Sequence, residues 1–334
     1  MIKPAFRRKP PPLAARIAMG VMMDGVFRVF LKFGGPERAF AGMAQRRAKE
    51  LATRNPFAGY VPTKRDVFVA CYVKSGTNWT MQIAHQLVHH GKAEFGHIHE
   101  VIPWPDTQLM GPLRGYAVPL EDESAWRASP EGKRVIKTHF HWEDLPYSED
   151  ARYIIVIRDP KDVFVSSYHF FSFFPIRSVD AWIKLFCSEN MFFGSWAAST
   201  AGYWAQRNRP NVLLLSFKSM KQDLPSTVRQ IANFLQVRSD EETIQRVAEK
   251  SSFEYMKAIE DKFGVWKIIP WRSHPQMMRK GSAGGSGELL SPDQQRQMDR
   301  YFMTELKRLG SDFPYEEFCN VTPAAERIER AGTA

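Results

Sequence analysis

The sequence predicts a single α/β domain in which helices flank a central, mostly parallel sheet, with a phosphate-loop-like nucleotide-binding core and an N-terminal helical arm. Three observations carry this. Short β-branched and apolar runs alternate along the chain with stretches of helical spacing. The changeovers from strand to helix are rich in small, hydroxyl-bearing and basic residues. A length of 334 residues, 44% hydrophobic and 13% aromatic, is enough for one full core and near the upper limit for a single domain.

Taken in order, residues 1–60 read as an amphipathic helical arm and linker, 61–320 as the catalytic domain and 321–334 as a tail. Arg7, Arg8 and Lys9 stand ahead of an apolar stretch from Leu13 to Phe33, the layout of a secretory leader. Arg16, Asp24, Arg28 and Lys32 interrupt that stretch. Charges at this density make a membrane span expensive, and no clear small-residue cleavage site follows. The expectation is a helix packed on the domain's own surface, with peripheral membrane contact through residues 13–33 as the second reading.

The first strand–helix unit is a strand over 66–73 followed by a helix over 77–91 that ends at a glycine. A short strand follows at Arg134–Thr138. The second unit runs from a strand at 152–158 through Asp159-Pro160, a helix start with proline in its first turn, into a helix over 161–171. The third is a strand at 211–217 and a helix over 220–235. Parallel sheets of this kind bind ligands beyond the carboxyl ends of their strands. Chemistry is therefore sought just after each strand.

After the first strand stands Lys74-Ser75-Gly76-Thr77-Asn78-Trp79. Free N–H groups at a helix start, a glycine allowing close approach and a lysine point charge make an anion cradle. It is not a triphosphate loop of the GxxxxGK[ST] type, because the lysine precedes the glycine and a second glycine is missing. After the next strand comes Lys137-Thr138-His139, which sets an imidazole where a general base belongs. His141 is its rival, since it would share a face with His139 if the strand continued. Arg158, with Asp159-Pro160 and then Ser166 two turns into the helix, offers a guanidinium and a hydroxyl suited to a second phosphate. Arg279-Lys280-Gly281 adds positive charge beside the glycine-rich tract at 282–287.

The net charge of +10 favours an anionic partner but does not choose among nucleic acid, a membrane surface and a phosphorylated small molecule. Cys71, Cys187 and Cys319 form neither a zinc spacing nor an even disulfide set, which fits a reducing cytoplasm. No HExxH, CxxC or clustered carboxylate set points to a metal.

The ordered set KSGTNW, RVIKTH, RDPKDVFVSSYHFF, NVLLLSFKSMKQD, SSFEYM and RKG resembles the soluble, cytosolic-type sulfotransferases that use 3′-phosphoadenosine-5′-phosphosulfate, over about Val61 to Phe318. The resemblance implies that Lys74, Ser75, Gly76, Thr77 and Asn78 hold the 5′-phosphosulfate and that Trp79 stacks on adenine. It assigns the 3′-phosphate to Arg158, Ser166, Arg279, Lys280 and Gly281, the adenine edge to Ser251 and the ring's other face to Phe253. His139 takes the place of the catalytic base and Lys137 that of the lysine on the sulfuryl group. The product nucleotide would be 3′,5′-adenosine bisphosphate, and no metal is required.

This sequence departs from the family pattern at four points. Asn78 stands where threonine is common, and Phe217 where tyrosine is common. The usual GDWKN after RKG reads Gly284-Gly285-Ser286-Gly287-Glu288, and the family's dimerisation element is absent. On the acceptor side, Trp104, Phe140, Trp142 and Phe171 are the candidate pocket residues, suited to a small apolar or aromatic alcohol. Two other classes compete: a phosphate-loop kinase using ATP and magnesium, and a basic membrane-surface or nucleic-acid-binding protein without catalysis. The second would spread its basic residues along one face among exposed aromatics, whereas here they cluster after strands.

Overall fold

The computed structural model describes residues 10–323 apart from 34, 175, 177, 266, 268 and 273–275, so Arg7, Arg8, Lys9 and residues 324–334 of the tail lie outside the described residues. Two long helices come first, α1 (Leu13–Phe33) and α2 (Gly35–Arg54). The sheet is built from β1 (Asp66–Ala70), β2 (Arg134–Thr138), β3 (Arg152–Ile157) and β4 (Val212–Ser216), all parallel, in the order β2-β1-β3-β4.

Helix α3 (Thr77–Val88) follows β1, and the short α4 (Ser124–Ala128) precedes β2. β3 leads into α5 (Pro160–Phe170), then α6 (Val179–Phe186) and α7 (Trp196–Trp204). After β4 come α8 (Phe217–Gln222), α9 (Leu224–Leu235), α10 (Glu241–Lys250), α11 (Phe253–Ala258), α12 (Pro292–Arg308) and α13 (Tyr315–Phe318).

Because side chains alternate along a strand, each strand feeds two cores. Phe68, Ala70, Ile136, Tyr153, Ile155 and Ile157 face one. Val67, Val69, Val135, Ile154 and Val156 face the other, under α3, α9 and α10. Burial on both faces explains why these strands read as nearly unbroken apolar runs. Asp66 and Arg134 begin β1 and β2 in register and form a buried ion pair at 3.0 Å, which pins the alignment of the two strands.

The boundaries move where local chemistry overrides periodicity. Residues 71–73 leave the ladder after Ala70, so β1 is shorter than the apolar run. The helix expected over 77–91 stops at Val88, and Gly91, at φ +73°, closes its end by donating to Gln86 O at 2.7 Å. The single helix expected over 220–235 is two, because Asp223 caps α9 by accepting from Ser226 N and a proline occupies its first turn.

The N-terminal arm is part of the domain. Phe27 of α1 and Phe40 of α2 are buried with Phe174 at ring separations of 5.2 and 4.9 Å, and Phe40 also meets Trp182 at 5.9 Å. Gly20 admits Trp271, whose ring would lie 2.5 Å from a Cβ there. Asp24 pairs with Arg272 at 2.7 Å. The expectation of a helix packed on the domain's surface thus holds for one face of α1. Its other side exposes Leu13, Val21, Met22, Val26 and Val29.

Candidate active site

The loops after β1, β2 and β3 open into one cavity, where the chain switches direction about β1. Lys74, Lys137, His139, Arg158 and Arg279 all line it. Four separate segments thus deliver charge and an imidazole to one place.

The anion cradle forms through backbone strain. Lys74 adopts φ +66° and Gly76 φ +103°, which turns the chain sharply from β1 into α3. Gly76 is the N-cap and offers no capping side chain, so the first-turn N–H groups of α3 remain for a ligand. A Cβ on Gly76 would meet the Phe217 ring at 2.9 Å. Ser75 differs from the expectation: its amide donates to Tyr72 O at 3.1 Å and its fully buried side chain is not part of the cavity wall. It shapes the turn instead of facing the cavity.

Lys74 Nζ lies over the Phe170 ring at 4.0 Å, and Lys137 Nζ over Trp104 at 3.4 Å. Burial, with Arg158 nearby, pushes the Lys74 ammonium down to about 7. Burial also brings Lys137 to about 7, against the pull of Asp106.

His139 has a defined tautomer. Its Nδ1 is 2.8 Å from Cys71 O, an acceptor only, so Nδ1 carries the proton and Nε2 keeps a lone pair. Burial and then Lys137 hold the imidazole well below its ordinary range, which keeps it neutral. The His139 amide donates to Asp106 Oδ2 at 2.7 Å, fixing the turn after β2. His141, the rival, donates Nε2–H to Phe193 O at 3.2 Å and lies outside the cavity wall.

Around the far end, Trp79 donates Nε1–H to Ser251 O at 2.7 Å, tying α3 to the turn after α10. Trp79, Ser251 and Phe253 line the same region, and the Ser251 hydroxyl is buried without a partner. Gly281, at φ +60°, lies against Phe253 so closely that a Cβ would come within 2.2 Å of its ring. Arg158 donates to Lys74 O at 3.0 Å and Ser282 O at 3.1 Å, and its guanidinium stacks on Phe217 at 4.3 Å. Ser166 lines the wall one turn beyond Asp162 on α5.

Three acceptor-side expectations need correcting. Trp104 lines the cavity, but Phe140, Trp142 and Phe171 do not. Phe140 alternates away from His139 into the core against Phe57, and Trp142 packs on Tyr147 and Tyr153. Phe171 is held among Phe170, Phe174 and Trp182. The aromatic walls are Phe170, Phe193 and Phe263 instead.

Sequence reasoning missed Asp162, Glu288 and His99, which also line the cavity. Asp162 accepts from the amides of Gly284 and Gly285 at 2.8 and 3.0 Å and so anchors the glycine-rich tract. Its spacing of four from both Arg158 and Ser166 was the available signal. Glu288 accepts two bonds from Arg279 Nη1 at 2.7 and 2.8 Å and stands 3.0 Å from Lys280 Nζ. Among the described residues no group of three or more His, Cys, Asp or Glu side chains is arranged to hold a metal ion.

Residues 64–310 match the family described as the sulfotransferase domain. The chain is 30% identical over 299 residues to sulfotransferase 2A1 of Macaca fascicularis, covering 86% of this chain and 99% of that one. It is 29% identical over 298 residues to sulfotransferase 2A1 of Homo sapiens, with coverage of 86% and 99%. Its fold resembles retinol dehydratase in complex with retinol and PAP at a TM-score of 0.63 and 23% identity, covering 78% of this chain and 86% of that one. Mouse sulfotransferase SULT7A1 complexed with PAP gives 0.58 and 23%, with coverage of 79% and 90%.

Proposed function

The chain belongs to the sulfotransferase family, and on that premise we propose that it transfers the sulfuryl group of 3′-phosphoadenosine-5′-phosphosulfate to a hydroxyl of a small apolar or aromatic acceptor. The observation that carries this is the sharing of one cavity by the basic residues of three loops and a neutral imidazole with a free Nε2 lone pair.

The residues fit the donor by their chemistry. The unpartnered Ser251 hydroxyl and Arg158 Nε suit a ligand rich in acceptors, and the tight cradles at Gly76 and Gly281 suit close approach to phosphate. In this reading Lys74, Thr77, Asn78 and the first-turn amides of α3 hold the 5′-phosphosulfate. Trp79 and Phe253 sandwich the adenine, and Ser251 meets its edge. Arg158, Ser166, Arg279, Lys280 and the Gly281 amide hold the 3′-phosphate.

The donor supplies an electrophilic sulfur and a phosphate leaving group. His139 Nε2 takes the acceptor's hydroxyl proton as that oxygen bonds to sulfur. Lys74 and the loop amides stabilise the charge that develops on the departing phosphate, and Lys137 faces the sulfuryl oxygens. Both lysines sit where burial makes each charge count for more than it would in water. The products are a sulfate ester and 3′,5′-adenosine bisphosphate.

A radiolabelled-donor assay across phenols, sterols and long-chain alcohols tests the activity. Calorimetry with 3′,5′-adenosine bisphosphate against ATP·Mg tests the nucleotide, and tighter binding of ATP·Mg would return the phosphate-loop kinase to first place.

A second reading concerns α1 alone. Its exposed Leu13, Val21, Met22, Val26 and Val29, beside exposed Arg28 and Lys32, suit peripheral contact with an anionic membrane surface. No helix among the described residues is long and apolar enough to cross a membrane. Sedimentation with phosphatidylserine vesicles should carry the protein down, and Val21→Glu with Met22→Glu should release it; sedimentation unchanged by the pair would end this reading.

A further inference from the structure

The acceptor end of the cavity holds a second histidine that the chemistry above leaves unused. His99 lies in a short 3-10 turn, Ile98–Glu100, and is 2% exposed, yet its ring lines the cavity. Its Nδ1 is 3.0 Å from Ile102 O, so Nδ1 carries the proton and the lone pair sits on Nε2. Among the described residues no side chain or backbone group bonds to that Nε2. Two polar groups nearby are engaged with each other: the Tyr116 hydroxyl and His97 Nε2 both bond to Gly264 O, at 2.5 and 3.0 Å, and lie 2.8 Å apart.

Trp104 fixes the relation of the two imidazoles. It stacks on His99 at 5.1 Å and 26°, and meets His139 edge-on at 5.7 Å and 86°. Phe193 meets His139 edge-on at 5.5 Å, and the cavity wall also carries the apolar Phe263 and Val265. Burial and the charge of Lys137 keep His99 neutral. A neutral imidazole with Nδ1 engaged can only accept at Nε2. It therefore recognises a hydroxyl or N–H, and not a carboxylate or a carbonyl.

We infer that His99 sets acceptor specificity: it selects molecules that carry, besides the hydroxyl sulfated at His139, a second hydrogen-bond donor across an apolar skeleton. The acceptor class is a diol or amino alcohol of aromatic or fused-ring type. The inference rests on the sulfotransferase reading of this cavity. An acceptor lacking the second donor leaves Nε2 buried and unpaired, and sites built to bond a polar group discriminate strongly against analogues without it.

The test compares rigid aromatic and fused-ring diols of graded spacing with their monohydric parents. The wild type should prefer the best-matched diol by about tenfold or more in kcat/KM. His99→Phe should lower kcat/KM for that diol and raise it for the parent, so that the ratio falls below about threefold. His99→Gln, whose side-chain carbonyl still accepts, should keep a preference between the two, and it serves where the phenylalanine variant does not fold. Binding of 3′,5′-adenosine bisphosphate, measured alongside, reports that each variant is folded.

A wild-type ratio near one, or parallel loss on both acceptors with the ratio retained in His99→Phe, would overturn the inference while sulfation itself stood. Absence of any sulfation together with absence of bisphosphate binding in the wild type would instead overturn the sulfotransferase reading beneath it.

Discussion

Replacing Glu288 by glutamine should tighten binding of 3′,5′-adenosine bisphosphate. The carboxylate of Glu288 occupies two cations assigned to the 3′-phosphate: it accepts two bonds from Arg279 Nη1 at 2.7 and 2.8 Å and stands 3.0 Å from Lys280 Nζ. Against the opposing effect of its partial burial, the bonds from Arg279 and Lys280 hold it down to about 2, so it is anionic across the working range. A phosphate arriving there must displace this carboxylate or accept its repulsion.

The ion pairs are partly exposed, and such pairs contribute about 0.2–1 kcal/mol each. Releasing two of them costs roughly 0.4–2 kcal/mol, which corresponds to a two- to thirty-fold gain in affinity for Glu288→Gln. Titration calorimetry with the bisphosphate and with adenosine 5′-phosphate separates the cause. The gain should appear only for the nucleotide with a 3′-phosphate, and it should shrink as salt is raised. Weaker bisphosphate binding, or an equal change for both nucleotides, would show that Glu288 orders Arg279 instead of competing for it.

Other expectations follow from the same geometry. His139→Ala should lower kcat by about 10²–10⁴ with bisphosphate affinity within about threefold, whereas His141→Ala should stay near full activity; the reverse pattern in steady-state kinetics would transfer the base to His141. Burial, followed by Arg158, sets Lys74 near 7, and an anionic nucleotide binds its protonated form, so affinity should be level below pH 7 and fall above it. Calorimetry at pH 8 in buffers of different ionisation enthalpy should then report proton uptake on binding, and proton release would contradict the assignment. Gly281→Ala, which forces a side chain into φ +60° and against the Phe253 ring, should weaken bisphosphate binding by roughly tenfold or more in the same titration.

Much of the fold was legible because the strands are short, apolar and buried on both faces, a pattern that survives without any knowledge of partners. The residues just after the strands were legible for the same reason: a parallel sheet dictates where its ligands lie. What escaped was decided by groups far apart in sequence. Asp162 shows its purpose only when Gly284 and Gly285 come to rest on it, and Glu288 only when its loop folds back on Arg279. The aromatic residues near His139 misled because composition gives no direction; alternation turned Phe140 into the core, while Phe193, more than fifty residues away, supplied the wall.

For the arm, amphipathicity predicts that a helix buries one face without saying against what. Arg47 of α2 answers that question. Its guanidinium is buried and lies 4.8 Å from the rings of both Phe192 and Phe193 and 5.4 Å from Phe140. The Phe193 ring in turn meets His139 edge-on at 5.5 Å. A buried guanidinium stacked on these rings resists displacement, since moving it would leave a desolvated charge without its aromatic faces. Helix α2 therefore sets the position of the wall beside the proposed base, and the acceptor end of the cavity is shaped by a segment that lies ahead of the residues matching the family, which begin at residue 64.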